Sequence, residues 1–221
     1  MTLRHQQASS TKQKAISCKS TRYVADPNLI IMKILVVIDM QNDFIDGALG
    51  SPEAQAIVPA VAEKIKSCAG EDTLVLFTKD THGENYMETT EGKYLPVPHC
   101  IRGTDGWKIN KEISRAGKTT GVALYNSETI INSRILKGTF ASNDLAALIK
   151  YYQDMAECVE LVGVCTDICV VSNALLIKTM CPDLKVIVDA SCCAATTPEK
   201  HEAALKTMES CQVEIINWDK E

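Results

Sequence analysis

Short apolar runs alternate along the chain with segments whose apolar residues recur every three or four positions. Apolar runs of strand length are typical of buried parallel strands, and the second spacing is typical of amphipathic helices. Strands are predicted at residues 33–39, 73–78, 128–131, 158–164, 184–189 and 213–216, and helices at 51–68, 143–155, 167–180 and 197–210. The alternation predicts one α/β domain: a central parallel sheet of about six strands, right-handed crossovers and helices on both faces.

Composition narrows the class of protein. The chain has 221 residues, of which 46% are hydrophobic, enough for one domain with a single large core. A net charge of −5 gives no general reason to expect nucleic acid or an acidic membrane as a partner. The sequence contains no run of about 18 apolar residues, which is the length that a transmembrane helix requires. Composition therefore favours neither nucleic acid nor a membrane as a partner.

The ten cysteines bear on the cellular compartment in which the protein is found. Several lie inside apolar strand or helix patterns, and a chain of this size does not need disulfides for stability. These features predict reduced, buried thiols in a cytoplasmic protein. The spacing of Cys165 and Cys169 is not CxxC, so the signal for a thiol redox role is weak.

Residues 1–31 differ from the rest of the chain. They carry five Lys or Arg residues and one Asp, and they are rich in Gln, Ser and Thr. The segment is therefore predicted to be a disordered extension, and its composition also resembles that of a transit peptide. Because Met32 directly precedes the first strand, we prefer an upstream-start artefact, with the domain formed by residues 32–221.

A strand, a short polar turn and a helix are predicted within residues 161–176, LVGVCTDICVVSNALL. Cys169 falls in the first turn of that helix, where the unpaired N–H groups and the helix dipole favour a thiolate. The same N–H groups can hold a developing oxyanion. The alternative is that Cys169 is one more buried thiol.

Three further polar residues are predicted to lie beside this turn. Asp39 ends the first strand, Asp80 follows the second, and Lys137 ends the third element, so all meet Cys169 at the carboxyl edge of the sheet. Asp39 would accept the thiol proton and Lys137 would stabilise the thiolate. Taken singly, Asp39 could cap a loop and Lys137 could be solvated.

A second cluster lies in the long loop after residue 80. Metal-ligand types recur there, and an Asp-x-His pair places two of them on one side of an extended segment. The candidates are Asp80, His82, Glu84, Glu88, Glu91 and His99. Such a set suits Zn²⁺, Fe²⁺ or Mn²⁺ with open positions for water or substrate. The alternative is a polar loop whose histidines only form hydrogen bonds.

Six motifs resemble a known family. The sequences VVIDMQNDF (36–44), KGTFAS (137–142) and GVCTDICVVSNAL (163–175) resemble the isochorismatase-like cysteine hydrolases. The resemblance extends from Met32 to about Ile216 and implies a Rossmann-like strand order. DTH, EGKYLPVPHC and GTDGW, at residues 80–82, 91–100 and 103–107, resemble the nicotinamidase/pyrazinamidase branch of that family.

The resemblance implies a catalytic role for each residue of the first cluster. Asp39 corresponds to the general base, Lys137 to the thiolate-stabilising cation and Cys169 to the nucleophile. The backbone N–H groups of Cys165 and Cys169 would form the oxyanion hole, beside a cis peptide bond between Val164 and Cys165. The family also implies a homo-oligomer.

The resemblance also implies a metal site and a substrate pocket. Asp80, His82, Glu91 and His99 would bind one divalent ion, with zinc as the first choice and iron or manganese as alternatives. Phe44 would stack on a substrate ring.

Two positions depart from the family pattern. Pro96 stands where relatives often carry an aromatic residue, so Tyr94 or Trp107 could supply that wall of the pocket. Cys165 stands where many relatives have Ala, which adds a second thiol near the site.

The implied reaction is hydrolysis of nicotinamide to nicotinate and ammonia through a thioester on Cys169. A first alternative is hydrolysis of another amide, or of an N-carbamoyl or ureido compound, by the same residues without a metal. A second is a binding protein without catalysis, although Asp39, Lys137 and Cys169 are all present. A third is a thiol sensor that uses Cys165 and Cys169.

Overall fold

A computed structural model of the chain describes residues 32–68, 72–118, 124–125, 128–129 and 134–219. The predicted disordered extension, residues 1–31, lies outside the described residues. Within them, no helix combines the length and the apolar character that crossing a bilayer requires.

The strands and helices follow one another in the predicted alternation. The strands are β1 (Met32–Ile38), β2 (Thr73–Asp80), β3 (Leu124–Tyr125), β4 (Glu128–Thr129), β5 (Arg134–Lys137), β6 (Ala156–Val164), β7 (Lys185–Ala194) and β8 (Glu214–Ile216). The α-helices are α1 (Asn42–Ile45), α2 (Pro52–Ala56), α3 (Val58–Ser67), α4 (Thr90–Tyr94), α5 (Lys111–Ala116), α6 (Asn143–Tyr152), α7 (Val171–Met180) and α8 (Pro198–Ser210). A 3₁₀ turn spans Tyr86–Glu88 and a π-helical turn spans Thr166–Val170.

Six strands form one parallel sheet in the order β5-β2-β1-β6-β7-β8. The side chains of β1 alternate between two buried clusters, with Ile34 and Val36 on one face and Leu35 and Val37 on the other. Helices α6, α7 and α8 cover the first face, and α1, α2, α3 and α5 cover the second. The predicted single α/β domain with helices on both faces is confirmed.

The helix predicted over residues 51–68 is two helices. Ser51 caps α2 by accepting a hydrogen bond from the backbone N–H of Ala54. Helix α2 ends at Ala56, and α3 begins at Val58 with Pro59 in its first turn. Because proline lacks an N–H donor, it suits the start of a helix and interrupts one that continues through it.

The prediction that residues 128–131 form a strand of the main sheet is wrong. Glu128–Thr129 pairs antiparallel with Leu124–Tyr125, and residues 130–131 lie outside the described part of the chain. The main sheet instead receives β5, which pairs with β2 and places Lys137 opposite Asp80. Strand β5 has only one neighbour in the sheet and mixes exposed and buried positions, so its apolar pattern is short.

The helix predicted to begin near residue 167 starts differently. Residues Thr166–Val170 form the π-helical turn, and the regular helix α7 begins at Val171. The peptide bond between Val164 and Cys165 is cis, as the family resemblance implied. Cys169 therefore lies in the wider turn between β6 and α7.

Candidate active site

Four buried polar residues meet at the carboxyl edge of the sheet. Asp39 follows β1, Asp80 ends β2, Lys137 ends β5, and Cys169 lies in the turn after β6. None of the four residues is more than 5% exposed. The four residues that the sequence analysis assigned to one edge do lie together, because the strands that carry them are parallel neighbours.

Lys137 contacts each of the other three residues. Its Nζ lies 2.6 Å from Oδ2 of Asp39, 3.4 Å from Sγ of Cys169 and 3.5 Å from Oδ1 of Asp80. One ammonium group thus faces a thiol and two carboxylates in a buried part of the site. Such a cation can balance a thiolate as it forms.

Thr78 holds the Asp39 carboxylate in place. The Thr78 hydroxyl donates a hydrogen bond to Oδ1 of Asp39 at 2.7 Å, and the Asp39 backbone N–H donates to Oγ1 of Thr78 at 3.1 Å. The sequence analysis did not single out Thr78. Its signal was a hydroxyl in an otherwise apolar strand, two residues before Asp80 and therefore on the same face.

Burial and the neighbouring charges act on the Cys169 thiol in opposite directions. Burial raises its pKa well above the ordinary value, Asp39 adds to the shift, and Lys137 opposes it. Loss of water disfavours the charged form of a thiol, whereas a nearby cation favours it. The expectation that the start of the helix favours a thiolate stays a prediction.

The same surroundings make Asp39 a better proton acceptor than an ordinary carboxylate. Burial raises the pKa of Asp39, and Lys137 opposes that shift. Burial alone would lower the pKa of Lys137, but Asp39, Cys169 and Asp80 raise it above the ordinary value. The Cys169 thiol and the Asp39 carboxylate both contact the Lys137 ammonium group, so the proton donor and its proposed acceptor share one neighbour.

A second group of side chains forms a compact set of donor atoms. One donor atom each from Asp80, His82, Glu91 and His99 lies within 4.8 Å of every other. Nε2 of His82 is 3.0 Å, and Nε2 of His99 is 3.5 Å, from Oδ2 of Asp80. Oε1 of Glu91 is 3.7 Å from Nε2 of His82 and 3.8 Å from Nε2 of His99.

The donor set fits a divalent metal ion. Nδ1 of His99 lies 2.9 Å from the carbonyl oxygen of Val97 and can donate its N–H to that oxygen. In that tautomer Nε2 carries no proton, so its lone pair faces the cluster and can bind a metal ion. Two imidazoles and two carboxylates match the preferences of zinc, iron and manganese. Burial opposes the charge of Asp80, but the neighbouring imidazoles of His82 and His99 and the Lys137 ammonium group lower its pKa. Glu91 joins this set, and Glu84 and Glu88 do not.

A cavity of about 380 Å³ connects the two groups. Cys165 and Cys169 line it together with Asp80, Glu91 and His99. Phe44 also lines the cavity, and its ring centre lies 5.5 Å from that of His99 in an edge-to-face arrangement. A flat ring bound against Phe44 would therefore reach both the thiol and the metal-donor set.

Neither aromatic residue proposed to replace Pro96 lines this cavity. Tyr94 is 88% exposed, and Trp107 lines a separate cavity. Phe140 supplies an aromatic side chain instead, at 50% exposure. The sequence analysis missed it, although Phe140 follows Lys137 by three residues within the motif KGTFAS.

Two amides connect the segments that carry the site. Nε2 of Gln41 donates to the carbonyl oxygens of Asp80 at 2.9 Å and Trp107 at 3.0 Å, and the Asp80 N–H donates to Oε1 of Gln41. Nδ2 of Asn173 donates to the carbonyl oxygens of Phe140 and Cys169. Asn173 was not singled out from the sequence, although it lies within the third motif.

Comparisons with known proteins agree with this architecture. The isochorismatase domain profile matches residues 33–220. A nicotinamidase/pyrazinamidase of Mycobacterium tuberculosis is 25% identical over 195 residues, which cover 84% of this chain and 98% of that protein. An isochorismatase family protein of Bacillus subtilis is 30% identical over 182 residues, covering 78% of this chain and 92% of the relative.

Solved structures resemble the chain over the same region. The pyrazinamidase of Pyrococcus horikoshii in complex with zinc aligns with a TM-score of 0.64 and 28% identity, covering 84% of this chain and 99% of that one.

Proposed function

This chain is an amidase of the isochorismatase family, related to nicotinamidases, and from that premise we propose that it hydrolyses nicotinamide to nicotinate and ammonia. One observation carries the proposal: a single cavity is lined both by Cys169 and by three members of the metal-donor set, Asp80, Glu91 and His99. A ring amide needs both features, a nucleophile at its carbonyl carbon and a holding point for its ring.

The first half of the reaction forms a thioester. Asp39 accepts the proton of the Cys169 thiol, and Lys137 stabilises the thiolate. The thiolate attacks the amide carbon, and the backbone N–H groups of Cys165 and Cys169 hold the oxyanion. Asp39 returns its proton to the amide nitrogen, and ammonia leaves as the carbon–nitrogen bond breaks.

The second half releases the acid. Asp39 accepts one proton from a water molecule, which attacks the thioester carbon. The carbon–sulfur bond then breaks, and the Cys169 sulfur regains that proton from Asp39. The second proton of the water leaves with the acid, which ionises to nicotinate in solution, and the site returns to its starting charge state.

Asp80, His82, Glu91 and His99 would hold one divalent ion, with zinc as the first choice. When bound, this ion supplies a Lewis-acid contact for the pyridine nitrogen and so helps to orient the ring. Phe44 forms the apolar wall against the ring. Orientation by two separate contacts limits which ring amides present their carbonyl carbon to Cys169.

The test is ammonia release from nicotinamide by the purified protein, with and without prior chelation, and with Cys169→Ala as the control. Release that requires both the metal and Cys169 would support the proposal. Full turnover by Cys169→Ala would refute the thioester step. If nicotinamide is inert, a panel of other ring amides and N-carbamoyl compounds would identify the substrate class.

We also propose that the protein is a cytoplasmic homo-oligomer. Within the described ranges, cysteines of the sheet and of the active-site turn, such as Cys158, Cys165 and Cys169, are free thiols, which fits a reducing compartment. Light scattering of the purified protein and fractionation of its native cells test the two statements separately. A monomeric mass would refute the first, and recovery from an extracellular fraction the second.

A further inference from the structure

A second cavity, of about 460 Å³, lies on the other side of β2 from the thiol. Lys79, Trp107, Lys108 and Arg134 line it, and none of them lines the active-site cavity. Its three cationic side chains have no part in the proposed reaction.

The fold brings these cations together on one face of the sheet. In the pairing of β2 with β5, Phe77 is opposite Arg134 and Lys79 is opposite Leu136. Because side chains alternate along a strand, Lys79 and Arg134 project from the same face. The Trp107 ring covers Lys79, whose Nζ lies 3.0 Å from the ring centre.

The cavity carries more positive charge than the described residues balance. Lys79 is only 5% exposed, and within the described ranges no carboxylate forms an ion pair with it or with Arg134. Lys108 alone has an acidic partner, Asp105, at 2.9 Å. A buried ammonium group without a counter-charge is costly, and an aromatic face compensates it only in part.

We propose that this cavity binds a small anion through a phosphate group. Arg134 offers a planar fork of donors that matches two phosphate oxygens, and Lys79 and Lys108 add point charges. Three cations suit a phosphate dianion better than a single carboxylate. The phosphate group could belong to free inorganic phosphate or to a phosphate ester, and the chemistry of recognition is the same.

The site would lie next to the active site without being part of it. Lys79 directly precedes Asp80, and Gln41 hydrogen-bonds to the backbone of both Asp80 and Trp107. The Trp107 indole N–H also donates to the Thr81 hydroxyl at 2.9 Å. Trp107 is therefore well placed to report on binding through its fluorescence.

Isothermal titration calorimetry of the full-length, metal-loaded protein at constant ionic strength tests the proposal. Inorganic phosphate and ribose 5-phosphate are the two probes, and tighter binding of one of them identifies the source of the group. We expect saturable binding with a change in tryptophan emission. In Arg134→Gln, affinity should fall by about tenfold or more, as expected when a charge-assisted hydrogen bond is lost.

Arg115→Gln is the matched control, because Arg115 is also exposed but does not line the cavity. It should bind both probes as the wild type does. Ammonia release by Arg134→Gln should remain unchanged, which verifies that the variant is folded. Absence of saturable binding for both probes would overturn the proposal. Equal affinity in Arg134→Gln and the wild type would also overturn it, because binding would then occur elsewhere, for example at the metal.

Discussion

The two halves of the active-site cavity balance charge in different ways. In the half formed by Asp39, Lys137 and Cys169, one ammonium group lies beside a carboxylate and a thiol. In the other half, two imidazoles and the Glu91 carboxylate gather around Asp80, so four metal-ligand side chains face one another. The first half is complete when the chain folds, whereas the second half suits an added cation.

Asp80 belongs to both halves. Its Oδ1 lies 3.5 Å from Nζ of Lys137, and its Oδ2 lies 3.0 Å from Nε2 of His82. A change in one half therefore reaches the other through a single carboxylate. Variants that remove one half and leave the other intact test this comparison directly.

The largest effect is expected from Cys169→Ala. Turnover of nicotinamide should fall by about 10⁴-fold or more, because removing a nucleophile leaves only binding and polarisation. Nicotinamide should still bind, since Phe44 and the metal-donor set are unchanged. Ammonia release and calorimetric titration measure the two quantities. Loss of binding together with turnover would contradict the separation of the two halves.

Lys137→Met should have the next largest effect, on stability. The variant leaves Asp39 buried without its cation, which typically costs about 3–5 kcal/mol in the free energy of unfolding. Urea denaturation measures this change in the free energy of unfolding. Lys185→Met is the control, since the pair of Lys185 with Glu214 is exposed and its loss should change little. Similar losses of unfolding free energy in the two variants would mean that the buried Lys137–Asp39 pair stabilises the fold no more than an exposed ion pair does.

Glu91→Gln should weaken the second half selectively. Metal affinity should fall by about 10-fold or more, because losing a ligand should cost at least as much as losing an outer-shell partner of a ligand. Glu88→Gln, a nearby exposed glutamate outside the donor set, is the matched control. Competition with a chelator measures the affinity. Equal affinity in Glu91→Gln and Glu88→Gln would remove Glu91 from the metal site.

The smallest effect concerns the pH dependence of Cys169 alkylation in the metal-free protein. Burial and Asp39 raise the pKa of this thiol well above 9, so the thiolate fraction at pH 8 is small. The rate should rise about tenfold per pH unit through the alkaline range, because only the thiolate reacts. Mass spectrometry of iodoacetamide-treated protein measures the alkylation rate of Cys169, with the exposed Cys211 as an internal comparison. A plateau below pH 9 would show that Lys137 outweighs burial.

The architecture was predictable because it depends on local patterns. Apolar runs such as residues 34–38 identify buried strands, and Ser51 or Thr197 before proline identifies the start of a helix. Parallel order then assigns Asp39, Asp80 and Cys169 to one edge without any knowledge of distances. Edge strand β5 was harder, because a strand with one neighbour has a weaker apolar pattern.

The sequence by itself determined which chemical groups reach the carboxyl edge of the sheet, since strand ends follow from the order of strands and helices. Only the tertiary structure decided the direction in which their pKa values shift and which residues hold them in place. Cys169 has a raised pKa because the fold removes water and adds carboxylates around it. Thr78 fixes Asp39, and Trp107 covers Lys79 rather than the substrate cavity. Such effects depend on burial and on contacts between residues distant in sequence, and a linear pattern does not encode them.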